Sequence, residues 1–229
     1  MCECKQYCGK IHKLIQNFPR FCEPESVLPL DGLYFFFEEG EKAVHEKYAS
    51  DRIVRVGNHL TNHGLMNRLK KHYTGSKRNS AFLRIVGGSL IRRDNPEAEC
   101  LNSDPGMGHW ERKNGKYCKY CKPYKVYSKN YIRENTKFTA ISVPDKEIRS
   151  QLEKALVSTI SLCEQCHPSE NWLGQFAYCQ LTRQSGLWQI NYLYKKDLVM
   201  TPFIMKKFED SVNNTKNHYL SVMSNLSNM

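Results

Sequence analysis

Asp31-Gly-Leu-Tyr-Phe-Phe-Phe-Glu-Glu39 is the stretch whose reading decides the fold. Leu33 to Phe37 is an unbroken apolar and aromatic run, bounded by Asp31-Gly32 before it and by Glu38, Glu39, Gly40 and Glu41 after it. That is the pattern of a buried strand closed by polar residues. Alternation places Leu33, Phe35 and Phe37 on one face and Tyr34 with Phe36 on the other. Working outward, Gly40 to Ser50 reads as a polar, solvated connection. Arg52-Ile-Val-Arg-Val-Gly57 then reads as a second strand, β-branched and ended by a glycine where a turn or a close approach is needed. The two strands suit an antiparallel pair. Leu65 to Tyr73 follows at helical period, and Arg68 and His72, four apart, share a face of that helix.

Further along, Phe138 to Val143 alternates as a third strand, and Pro144-Asp145 supplies a stop and a helix cap. The helix expected from Lys146 to Leu162 buries Ile148, Leu152, Ala155, Leu156 and Ile160, with Glu153 at the margin of the stripe. Taken alone, Glu153 is an ordinary surface glutamate paired with Arg149. Ser80 to Arg93 reads as a helix weakened at Gly87-Gly88, and Asn95 to Gly115, rich in Pro, Gly, Asn and Asp, as a loop. Trp172 and Trp188 read as packing anchors. The expected fold is α+β: a small, mostly antiparallel three-stranded sheet flanked by helices. The expected organisation is an N-terminal cysteine-containing helical appendage (1–28), a core (29–200) with a basic Cys/Tyr/Lys insertion at about 94–125, and a C-terminal helix and tail (201–229).

Among the 229 residues, 34 Lys and Arg stand against 23 Asp and Glu, a formal charge of +11. The excess suits a polyanion, because phosphate neutralisation releases counterions. No run approaches the ~18 apolar residues of a membrane span, and Met1-Cys-Glu-Cys-Lys-Gln6 lacks a signal peptide's apolar segment, so a cytoplasmic location is expected. Lys113, Lys116, Lys119, Lys122 and Lys125 recur every third residue among Tyr117, Tyr120, Tyr124 and Tyr127. Two readings of this stripe stand: a nucleic-acid surface of cations and stacking rings, or a solvated lysine face with tyrosines packed inward. The ten cysteines likewise allow two readings in a reducing compartment. They are buried thiols, or Cys118, Cys121, Cys163 and Cys166 form a structural zinc site from two C-x-x-C pairs.

Gly32-Leu33-Tyr34, the spacing to Arg55-Val56-Gly57, Arg68-x-x-x-His72 and the later Glu153 together resemble the successive motifs of the GIY-YIG nuclease superfamily, over roughly Leu30 to Gly174. Arg52 to His59, Pro168 to Gly174 and Ser185 to Trp188 also resemble its restriction-type branch. The resemblance implies a divalent-metal-dependent DNA endonuclease of restriction or defence type. Tyr34 would activate or position the attacking water, with His72 sharing its proton. Arg68 would bind phosphate, and Glu153 would hold Mg2+ or Mn2+. Arg55 stands where a tyrosine is usual, and as a cation it joins His59, Lys71 and Asn171 as a substrate contact. Cutting both strands would call for a homodimer. The alternative is a zinc-stabilised nucleic-acid-binding module without catalysis.

Overall fold

The computed structural model describes residues 3–24, 28–45, 48–74, 80–98 and 121–227. The chain is α+β: a three-stranded antiparallel sheet of order β2-β1-β3 with helices around it. In chain order these are α1 (Glu3–Ile15), β1 (Gly32–His45), β2 (Tyr48–Gly57), α2 (Leu65–Tyr73), α3 (Ala81–Asp94), α4 (Cys121–Asn135), β3 (Thr136–Ser142), α5 (Lys146–Ser161), α6 (Gln180–Ser185) and α7 (Pro202–Ser227). Among the described residues no helix is long and apolar enough to cross a membrane.

The run Leu33–Phe37 lies in the central strand and is buried on both faces. Phe35 meets Phe208 of α7 at 6.2 Å between ring centres. Phe36 faces the other way, among Tyr73, Phe82 and Phe138. Each such ring contributes about 1.5–3 kcal/mol through area removed from water. Helices α2 and α3 therefore cover one face and α7 the other. The N-terminal stripe Ile11, Ile15 and Phe18 joins the same core, and α1 packs on β2, α5 and α7.

Two expectations are corrected. The polar residues after Phe37 do not end the strand, because β1 continues to His45 with Glu38 and Glu41 buried. What makes this tolerable is full pairing. Glu38 accepts the indole N–H of Trp172 at 3.0 Å and of Trp188 at 2.6 Å, together with the Tyr131 hydroxyl. Glu41 meets the buried guanidinium of Arg52 at 2.5 Å and the Ser169 N–H at 3.1 Å. Gly40, at φ 81°, sits in the register break between Phe37 and Lys42 and absorbs the irregularity without a Cβ penalty. The helix read as weakened or broken at Gly87-Gly88 is continuous there. Helix α3 runs unbroken, with both glycines buried against neighbouring elements.

Candidate active site

Beside the end of β2 lies an open cleft of about 700 Å³, lined among others by Arg55, Asn58, His59, Arg68, Lys71, Arg84, Glu153 and Gln189. Its charged lining is four cationic side chains, Arg55, Arg68, Lys71 and Arg84, against one carboxylate, Glu153. Four elements bring these groups together: β2 supplies Arg55, α2 supplies Arg68 and Lys71 on its polar side, α3 supplies Arg84, and α5 supplies Glu153. The start of α5 is fixed by Asp145, whose carboxylate accepts the Ile148 N–H at 2.8 Å.

Under the cleft runs a buried polar chain. The Tyr34 hydroxyl bonds His72 Nε2 at 2.8 Å, and His72 Nδ1 bonds Ser80 Oγ at 2.8 Å. Ser80 caps α3 by accepting the Leu83 N–H. Tyr34 and His72 are both 0% exposed, so neither touches the cleft directly. Arg55 connects the levels: it lines the cleft, lies beside Tyr34 below it, and is electrostatically coupled to Glu153 and Arg68. It also donates to the Trp188 carbonyl. Its Nε–H has no hydrogen-bond partner among the described residues, which leaves a buried donor for an anionic oxygen. Tyr34 fits because residue 57 is glycine: a Cβ there would lie 2.3 Å from the phenol oxygen.

Burial raises the Glu153 carboxyl above its ordinary range, opposed by Arg55, Arg68 and the Asn58 N–H. Burial, then Arg55 and Arg68, holds His72 well below the usual imidazole value, so the ring is neutral at pH 7. The unfolded chain takes up that proton below about pH 6.5 while the folded chain refuses it. His72 therefore contributes stability that is present above about 6.5 and is lost as pH falls, with a slope on the order of 1.4 kcal/mol per pH unit. In chemical denaturation between pH 7 and 5.5, His72→Asn is expected to flatten this loss. An unchanged slope would show that His72 takes up its proton in the fold.

Of the residues singled out in the sequence, Arg55, His59, Arg68, Lys71 and Glu153 share the cleft, with Tyr34 and His72 beneath it. Asn171 is not brought in. It is exposed in a turn beside Trp172, whose indole reaches Glu38. His59 is committed to the scaffold: Nε2 accepts the Gly32 N–H at 3.0 Å and Nδ1 bonds the Thr61 carbonyl at 2.7 Å, which leaves no nitrogen for phosphate. Arg149, expected beside Glu153, turns instead to the carbonyls of Val143 and Pro144 at 2.6 and 3.1 Å. Sequence reasoning placed Arg84 on the basic face but missed the Asn58 N–H, Ser80 and Gln189. Ser80 was findable as the polar residue before an apolar helix, whereas the others are placed by tertiary structure. The Lys/Tyr stripe before Cys121 and Cys118 itself lie outside the described residues. Cys121 is not a member of the cysteine and histidine cluster, in which Cys166 instead joins Cys8, His12 and His45.

A cationic cleft at the end of a small antiparallel sheet, with one carboxylate in it, defines a class of domain built to handle phosphodiesters. The GIY-YIG domain model matches residues 10–218, and the chain belongs to the GIY-YIG family. It is a nuclease of that class, an endonuclease in general type with DNA as substrate. No curated protein and no solved structure gives a significant match.

Proposed function

We propose that this chain is a divalent-metal-dependent DNA endonuclease in which Glu153, Arg68, Arg55 and Tyr34 act on one phosphodiester, with His72 as the partner of Tyr34. The observation that carries the reading is the position of Arg55, which lines the cleft together with Arg68 and Glu153 and lies beside the buried Tyr34–His72 pair. Glu153 suits a hard divalent cation. It is a carboxylate oxygen donor in a wet cleft, where burial makes its uncompensated charge costly. Glu153 would hold magnesium or manganese, and the ion would supply positive charge for the charge that develops on phosphate and leaving oxygen.

The other roles follow from the chain's own groups. Arg68 and Lys71 bind nonbridging oxygens, with Arg68 offering two donors in a fork. Arg55 offers its unpartnered Nε–H to the same phosphate. As it turns towards that charge, the Tyr34 oxygen becomes reachable for the attacking water. With Nε2 of His72 unprotonated, the phenol proton points at the ring, leaving the oxygen lone pairs to accept a hydrogen bond from the attacking water and align it. Full transfer to His72 is uphill, because burial, Arg55 and Arg68 all oppose the imidazolium. His72 therefore orients the phenol, Tyr34 positions the water whose proton leaves to solvent through the open cleft, and Arg55 stabilises the negative charge that develops on the phosphate. Lys71 and Arg84 add electrostatic attraction for the backbone.

A restriction or defence role in the cytoplasm is supported by the restriction-type segments Arg52 to His59, Pro168 to Gly174 and Ser185 to Trp188. One cleft cuts one strand at a time, so double-strand cutting would require a homodimer. The test is nicking of supercoiled plasmid by the wild type and Tyr34→Phe, with Mg2+, with Mn2+ and with EDTA. Nicking that needs the cation and falls about 10²–10⁴-fold in Tyr34→Phe is expected. Tyr34→Phe within threefold of wild type would remove the phenol from the chemistry. Retention of DNA without nicking under any ion would favour the binding module.

A further inference from the structure

At the opposite end of β1 from Tyr34, a second constellation joins three distant parts of the chain: Cys8 on α1, His45 at the last residue of β1, and Cys163 and Cys166 in the turn after α5. Cys8 and Cys166 sulfurs are 3.2 Å apart, Cys166 Sγ is 3.3 Å from His45 Nε2, and Cys163 Sγ is 4.0 Å from the same nitrogen. Cys163, three residues before Cys166 in the same turn, is joined to the group through His45. All four residues are buried. We propose that Cys8, His45, Cys163 and Cys166 form a structural zinc site that fastens the N-terminal helix to the nuclease core.

The geometry fits that ion. Zinc–sulfur bonds of about 2.3 Å and zinc–nitrogen bonds of about 2.0–2.1 Å at tetrahedral angles put the donors about 3.8 Å apart for S···S and about 3.6 Å for S···N. The two S···N separations, 3.3 and 4.0 Å, stand either side of the S···N edge, and the Cys8 and Cys166 sulfurs at 3.2 Å lie inside the S···S edge but well beyond the about 2.05 Å of a disulfide. Two residues between Cys163 and Cys166 let both sulfurs face one centre. The 3-10 turn Glu164–Cys166 holds them there, with the Cys166 N–H on the Cys163 carbonyl at 3.0 Å.

His12 belongs to the surroundings of the site. It lies within the same 4.8 Å group as Cys8, His45 and Cys166, but its Nε2 accepts the Ile53 N–H at 3.2 Å and its Nδ1 bonds the Cys8 carbonyl at 3.0 Å. Both nitrogens are spent on backbone. The ring orients the Cys8 turn of α1 and stacks against His45, 4.8 Å between centres. The ligand set is therefore three sulfurs and one nitrogen, and among the described residues Cys121 takes no part.

The test is elemental analysis of the full chain purified without chelator, together with the absorption spectrum of the cobalt(II)-substituted protein. About one zinc per chain is expected, with tetrahedral ligand-field and thiolate charge-transfer bands for cobalt. Cys163→Ser and Cys166→Ser should lose most of the metal, while His12→Gln keeps it. If the serine variants do not fold, X-ray absorption at the zinc edge of the wild type decides, with three sulfurs and one nitrogen expected. Zinc-free wild type, an iron–sulfur chromophore, a Cys8–Cys166 disulfide, or metal retained by Cys163→Ser but lost by His12→Gln would each overturn the assignment.

Discussion

Glu153→Gln is expected to cut plasmid nicking by on the order of 10³-fold or more, since a charge acting mainly in the transition state is removed. DNA binding should be unchanged or tighter, because Arg55, Arg68, Lys71 and Arg84 then face phosphate with no carboxylate opposing them. The amide keeps the carboxylate's shape and an oxygen for the Asn58 N–H. Burial has already raised the carboxyl's protonation range, so the charged form is what the fold tolerates least there. Glu153→Gln is therefore expected to melt no lower than wild type, the stability–activity trade seen where function keeps a costly charge. The pH dependence has a definite sign. Wild-type cleavage falls as pH drops through a carboxyl range lying above the ordinary value of about 4.3, and neutral His72 adds no acid limb near 6.5. Equal nicking by Glu153→Gln would remove Glu153 from the site, and weaker DNA binding with unchanged turnover would make it a structural residue.

How much of this was legible follows the physics of each signal. The strand at Leu33–Phe37, the helix bearing Arg68 and His72, the Asp145 cap and the α5 stripe are local patterns of period and capping, and they emerged where they were read. The extension of β1 through Glu38 and Glu41 was invisible because its cause lies 128 to 150 residues away, in Trp172, Trp188 and Ser169. A buried carboxylate looks like a loop residue until its donors are known. The neighbours of Glu153 were hidden for the same reason: i,i+4 spacing suggested Arg149, but tertiary contacts gave it Arg55 and Arg68. The cysteines show the limit most clearly. Spacing singled out Cys163 and Cys166, yet their companions are Cys8 and His45, which no sequence spacing links to them.

Gly57→Ala tests the same site from beneath. A methyl group there would stand 2.3 Å from both Cζ and the oxygen of Tyr34, far inside contact distance. The ring cannot swing aside cheaply: it is fully buried, bonded to His72 and packed edge-on against Phe36, 5.8 Å between centres. The backbone itself would accept alanine, since Gly57 is not among the residues at positive φ. The effect is thus pure overpacking, about 1–3 kcal/mol, or a fall in Tm on the order of 3–10 °C for a chain of this size. Displacing the phenol by even 1 Å is expected to cost about 10²-fold in cleavage. Combined with Tyr34→Phe, the two losses should not add, because both act through one hydroxyl. Gly40→Ala is the control, since it meets no atom within 4 Å and should leave nicking intact despite its strained φ. If Gly57→Ala cleaves like wild type, or if its loss multiplies fully with that of Tyr34→Phe, the glycine serves the sheet alone and the buried phenol has no part in hydrolysis.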